Sequence, residues 1–102
     1  MLILEVVISR RVYRKVGLVA QYVTHKTSEA NAKRYATELI GEILGLSIYA
    51  RGIKQTDSDM LKVIHPNAKS ITTKNKKWRI IFHVEGDKVY VDDLIASSMI
   101  TQ

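Results

Sequence analysis

Cysteine is absent from this 102-residue sequence, which excludes disulfides, thiolate metal sites, cysteine nucleophiles and thiol redox switching. Proline occurs once and glycine five times, so there is no linker and no low-complexity segment. No apolar run approaches the roughly 20 residues that span a bilayer. The apolar start MLILEVVIS carries Glu5, has no basic region before it and runs into Arg10 and Arg11. That pattern fits a buried strand rather than a signal peptide, and the cytoplasm is the expected compartment. Glycine-rich phosphate loops, H-E-x-x-H and G-x-S-x-G are all missing. His25, His65 and His83 are far apart in sequence and have no helper ligand nearby, so neither a metal nor a cofactor is expected.

What remains is a composition of 46% hydrophobic and 25% charged residues, that of an ordered globular chain. The net charge is +6 and the excess is clustered. Arg10, Arg11, Arg14 and Lys15 form one group, and Lys74, Lys76, Lys77 and Arg79, with Lys69, form another. All of these except Lys69 are the candidate anion or nucleic-acid contacts. Cationic clusters attract polyanions without selectivity, so the nucleic-acid binding they imply is weak and sequence-tolerant.

The hydropathy pattern predicts an α+β domain in the order β-β-α-β-α-β-β, one domain over 1–102 with possible lobes 1–45 and 46–102. Leu2, Leu4, Val6 and Ile8 alternate with Ile3, Glu5 and Val7 as a strand. Residues 18–25 read as a second strand, with Gly17 turning a long hairpin whose tip is cationic. Ser28 caps a helix that carries Tyr35, Ala36, Leu39, Ile40, Ile43 and Leu44 on one stripe, ended by Gly45. The spacing of Gly41 and Gly45 reads as close packing rather than a dimer motif. Residues 46–54 read as a third strand. Thr56 with Asp59 resembles a capping box for a short helix of Met60, Leu61 and Ile64 that Pro66 stops. A calcium loop from Asp57 fails, because Leu61 and Lys62 stand where an oxygen ligand and glycine are needed.

The last hairpin is the clearest local pattern. Trp78, Ile80, Phe82 and Val84 alternate inward, Gly86-Asp87 supplies the turn, and Val89 and Val91 return the inward face. Continuing that register would bury Asp93 opposite Ile80, so a β-bulge near Asp92 and Asp93 is expected, shifting the phase to bring Leu94 inward. Asp92 and Asp93 are the only paired carboxylates on this hairpin, and a cross-strand ion pair of Asp92 with Arg79 is favoured over acid-base catalysis.

Residues 76–97, KKWRIIFHVEGDKVYVDDLIAS, resemble the C-terminal hairpin of the RelE/ParE toxin superfamily. In its RelE-type ribonucleases basic residues and a late aromatic or arginine serve catalysis, which implies Lys77, Arg79 and His83 here. Two departures stand against it. The chain ends SSMITQ without a terminal Arg or Tyr, and a hairpin is expected before the first helix where the family has one short strand. By length, absent cysteine and Ile/Val/Lys/Tyr-rich composition, the chain also resembles small orphan proteins of filamentous viruses of hyperthermophilic archaea, of the Acidianus filamentous virus type. That resemblance implies a viral protein of the host cytoplasm.

The leading functional expectation is a non-enzymatic binding protein. It would engage a peptide or protein segment through a sheet edge or a groove between two hairpin-helix lobes. Weak, non-specific nucleic-acid binding and a RelE-like ribonuclease are the alternatives. A last hairpin lying centrally in one sheet, with basic side chains converging beside a concave face, would favour the ribonuclease.

Overall fold

A computed structural model describes residues 3–99, and its architecture grows from the hairpin that the sequence pattern marks most strongly. Strands β3 (Trp78–Glu85) and β4 (Lys88–Ala96) pair antiparallel. Gly86 turns them with φ +60, the first central position of a type II′ turn and one that glycine occupies without strain. Ile80, Phe82, Val89, Val91 and Leu94 are buried on one face. The expected bulge is present. Phe82 pairs with Val91 and Ile81 with Asp93, so Asp92 is the extra residue, and the shifted phase sets Leu94 opposite Ile80 in the core.

Two short strands flank this pair. β1 (Glu5–Ile8) runs parallel to β4, and β2 (Lys69–Thr72) runs antiparallel to β3, giving the sheet order β1-β4-β3-β2. The last hairpin is therefore central, and β1 and β2 are open edges. Leu4 is buried and Val6 and Ile8 pack on the same core, as their alternation requires; Leu2 lies outside the described residues. β2 has no counterpart in the sequence reading, since only Ile71 of its four residues is apolar and faces the core. Burial, and then the nearby Arg51, lower the pKa of the Lys69 ammonium; it donates to the Ala50 carbonyl at 3.0 Å.

The largest correction concerns residues 10–26. They form one helix, α1 (Arg10–Lys26), and not the second arm of a hairpin. Ser9 caps it, its Oγ accepting from Val12 N at 3.2 Å. Val12, Val16, Val19 and Val23 recur at helical spacing on the inward side, with Val12 and Val16 fully enclosed. Leu18 and Tyr22, on the outer side of the helix, are 57% and 63% exposed. Gly17 lies mid-helix, where an added Cβ would meet nothing within 4 Å, so it is no turn residue. Tertiary packing of the valine stripe outweighs the β-propensity of the segment. With no hairpin before α1, the two halves are not copies of one hairpin-helix lobe.

Helix α2 (Glu29–Leu44) starts where expected, with Ser28 Oγ accepting from Asn31 N at 3.1 Å. Leu39 and Ile43 are buried and Ala36 and Ile40 pack beside them, whereas Leu44 is half exposed. Gly45 has φ −60 and continues the right-handed path instead of taking a left-handed cap. The chain then forms α3 (Leu46–Tyr49) and a 3-10 turn over Ala50–Gly52, not the expected strand. Leu46 and Ala50 are buried while Ile48 between them is 53% exposed, which fits a helical turn and not the alternation of a strand. α4 (Asp59–Lys62) is capped by Ser58, whose Oγ accepts from Leu61 N, and not by Thr56, whose Oγ1 instead accepts from Ser58 N. α1, α2 and α3 cover one face of the sheet. On the other face Leu61 and Ile64 pack with Ala68, Ile81 and Ile95 in a small second core.

Phe82 is fully enclosed between the sheet and the helices. Phe82→Ala is expected to cost roughly 3–5 kcal/mol, a large share of the 5–15 kcal/mol typical of a small domain. Chemical denaturation measures this; an unchanged unfolding midpoint would contradict the packing described.

Candidate functional site

A groove of about 730 Å³ lies between α2 and the β2 side of the sheet. Its floor is Leu39 and Ile71, α2 contributes Tyr35, Glu38, Gly41 and Glu42, Tyr49 closes one end, and Lys74 and Asn75 form the far rim. A second hollow of about 420 Å³ shares Tyr35 and Glu38 and extends to Tyr22, Lys26, Arg34 and Lys77. The two run along one face of α2. At Gly41 an added Cβ would meet nothing within 4 Å, so the missing side chain leaves the groove open at its middle.

The rim is held by a small polar network. Tyr35 Oη accepts from Asn75 Nδ2 at 2.7 Å and from Trp78 Nε1 at 3.0 Å. Glu42 Oε1 accepts from Lys74 N at 2.8 Å. Asn75 Oδ1 in turn accepts from Thr73 Oγ1 at 2.7 Å and Lys77 N at 3.0 Å. The turn between β2 and β3 is therefore latched to α2 even though Lys76 takes a left-handed φ of 64.

β2, which contributes Ile71 to this groove, is an open edge of the sheet. Thr73 N donates to Trp78 O at 2.9 Å, and the antiparallel register then assigns Ile71 and Lys69 to the hydrogen-bonded pairs with β3. Ser70 and Thr72 turn their N–H and C=O groups outward, and no described residue bonds to them. Such groups accept an incoming strand.

The eight basic residues singled out in the sequence do not converge. Arg10, Arg11, Arg14 and Lys15 sit on the first turns of α1 rather than at a hairpin tip. Lys15 Nζ meets Asp93 Oδ1 at 2.6 Å and donates to Leu94 O at 3.0 Å, and Arg11 lies 3.6 Å from the same carboxylate. Lys74, Lys76 and Lys77 occupy the turn before β3. Arg79 shares the opposite sheet face with Ser70, donating from Nη2 to Ser70 Oγ at 2.6 Å.

That opposite face holds the polar cluster the sequence did not reveal. His83 Nδ1 is 2.6 Å from Asp92 Oδ2, and Nε2 is 3.6 Å from Glu85 Oε2. The His65 ring stacks on His83 with centroids 3.6 Å apart and planes 4° from parallel. The bulge sets Asp92 beside His83, so the expected Asp92–Arg79 ion pair does not form. Among the described residues no group of three or more His, Asp or Glu side chains is arranged to hold a metal ion.

No protein-family model and no curated protein matches the chain. Among solved structures, a chain of the "Chromosomal ParDE TA system from P. aeruginosa" matches with a TM-score of 0.78 at 11% identity, over 92% of this chain and 96% of that one. At that identity the likeness is one of fold. It agrees with the RelE/ParE resemblance, and it removes one departure from it, since a single short strand and no hairpin precedes α1. Nothing in these comparisons supports a viral origin. Among the described residues no helix is long and apolar enough to cross a membrane.

Tyr35→Phe removes the acceptor for Trp78 Nε1 and Asn75 Nδ2. A loss of about 1–2 kcal/mol is expected, together with faster tryptic cleavage at Lys74, Lys76 and Lys77 in the native state. Limited proteolysis followed by mass spectrometry reads this; unchanged cleavage would show that the rim is held without Tyr35.

Proposed function

We propose that this chain is a small binding protein of the toxin-antitoxin type whose partner is a polypeptide segment laid along the α2 groove and paired with the β2 edge. The observation that carries the reading is that one strand supplies both features: β2 floors the groove with Ile71, beside Leu39, and carries the unpaired edge at Ser70 and Thr72. Main-chain pairing supplies affinity and the alternate side chains of the incoming strand reach the groove, which supplies selection. The solved neighbour comes from a ParDE toxin-antitoxin system, and its fold supports a protein partner over a nucleic acid. Burial of an incoming apolar side chain against Leu39 and Ile71 contributes about 1.5–3 kcal/mol per residue.

The reading includes no hydrolytic step. The hairpin is central in the sheet, as a RelE-like ribonuclease would have it, but the basic groups do not meet around an open site. The His83 side chain is 9% exposed, bonded to Asp92 and covered by His65. A general base needs hydrogen-bond reach of the proton it removes, and that position does not give it to an RNA hydroxyl. Arg79 is engaged with Ser70. The chain is therefore expected to leave ribosome-bound mRNA intact; cleavage that disappears in His83→Gln or Arg79→Ala would overturn the non-enzymatic reading.

The groove itself is tested by filling it. Gly41→Trp places a ring into open space on a helix where glycine is unfavourable, so thermal stability is not expected to fall. A peptide-display library selected on the wild-type chain should yield extended binders of about micromolar affinity, weakened at least tenfold by Gly41→Trp. Selection of no peptide tighter than about millimolar, or binders indifferent to Gly41→Trp, would refute the site.

A further inference from the structure

α1 is amphipathic in an unusual sense. Its inner face is the valine stripe, and its outer face is also patterned: Arg11, Arg14, Leu18 and Tyr22 follow one another at spacings of three, four and four residues, a single seam along the helix. Arg10 flanks the cationic end of that seam. Leu18 and Tyr22 are 57% and 63% exposed, although each stands where a surface helix ordinarily carries a polar residue.

The electrostatics of the cationic end are unbalanced. The 17 residues of α1 contain no Asp or Glu, and its first turn carries arginines in place of acids. The positive end of the helix dipole lies there, so cations at that end are disfavoured and an anion is favoured. Asp93 is the single carboxylate within ion-pair distance of this cluster, and it is shared by Lys15 and Arg11; Arg10 and Arg14 have no ion-pair partner among the described residues.

We propose that the outer face of α1 is a second interaction surface, taking an acidic amphipathic polypeptide segment whose carboxylates meet Arg10, Arg11 and Arg14 and whose apolar residues cover Leu18 and Tyr22. The spacing of the seam suits a helix lying alongside α1 over about 18 Å, twelve residues at 1.5 Å each. Charge complementarity selects an acidic partner, and the apolar continuation selects a polypeptide: Leu18 offers neither a charge to a phosphate nor a ring to a base. The surface goes beyond the groove proposed above and touches it only at Tyr22, which lines the smaller hollow. Arg10, Arg14 and Leu18 line neither, so the two sites can be disabled separately.

The test uses the full chain and four probes by fluorescence anisotropy: a pool of helix-forming peptides of about 16 residues with Glu and Leu at seam spacing, polyglutamate of equal length, a single-stranded oligonucleotide of equal charge, and vesicles of anionic phospholipid. Saturable binding of the amphipathic pool is expected, at least tenfold tighter than polyglutamate. It should weaken about tenfold in Arg10→Glu/Arg14→Glu and severalfold in Leu18→Ser, and stay unchanged in Gly41→Trp. All four positions are solvent-facing, and cooperative melting confirms that the variants fold. Equal binding of polyglutamate would reduce the face to a generic cationic patch. Tighter binding of the oligonucleotide or the vesicles would assign it to those partners instead, and absence of saturable binding, or equal loss in Gly41→Trp, would overturn the second surface.

Discussion

One extra residue, Asp92, sets the relation between the sheet and everything packed on it. The bulge it makes in β4 separates two adjacent carboxylates that a regular strand would have carried in a different phase. Asp93 is 5% exposed and receives Lys15 at 2.6 Å, while Asp92 turns to His83 on the opposite face. The backbone of the same bulge receives the start of α1: Ser9 N donates to Val91 O at 3.1 Å and Ser9 Oγ to Asp92 O at 3.3 Å. A buried carboxylate without a partner is costly, so Asp93 draws the basic end of α1 onto β4. The helix is docked by its cap, its ion pair and its valine stripe together.

With α1 held on β4, α2 packs against α1 and overhangs the β2 side. α2 has no partner strand beneath its whole length, because β2 is only four residues long. The gap is bridged at the turn before β3, where Tyr35 and Glu42 receive three donors from residues 74, 75 and 78. A latch at the rim with glycine at position 41 leaves a hollow rather than a packed seam. Because β2 is also the outermost strand, the N–H and C=O groups of Ser70 and Thr72 stay unpaired. Groove and edge thus meet at one strand, the short one at the margin of the sheet.

The central hairpin was legible because its signals are local: period-two alternation, a Gly-Asp turn, and a phase conflict at Asp93 that only a bulge relieves. The caps at Ser28 and the stripe from Ala36 to Ile43 were legible for the same reason. Residues 10–26 were not, because Val and Tyr favour strands locally and Gly17 imitates a turn, while the helical spacing of Val12, Val16, Val19 and Val23 gains its weight only from the surfaces they bury against. Residues 46–52 misled in the same way, since Leu46, Ile48 and Ala50 read as one strand face until Ile48 is found exposed. β2 left almost no trace, with one apolar side chain to pack. The basic residues form two groups along the sequence, but Lys15 and Arg79 are half-buried, and which of the others share a face depends on turning a supposed hairpin into a helix. The stacked His65 and His83 join a loop to a strand 18 positions away, a proximity that no local pattern encodes.

The surplus of positive charge follows from this division of surfaces. On the sheet face away from α1, His83, Asp92 and Glu85 lie together, and at the rim of the groove Glu42 holds the Lys74 main chain. α1 has no such compensation along its length. A helix docked through one buried carboxylate can spend that carboxylate once, on Lys15 and Arg11, and its remaining arginines then face solvent beside the positive end of their own dipole. Stability alone gives no reason to keep Arg10 and Arg14 there, because a lysine or arginine at a helix start opposes the dipole and an acid would favour it. Nor does it give a reason to hold Leu18 and Tyr22 in water one and two turns further on. Cations that cost stability and apolar groups that gain none, aligned on a single seam, are what a surface carries when its energetic return comes from a partner.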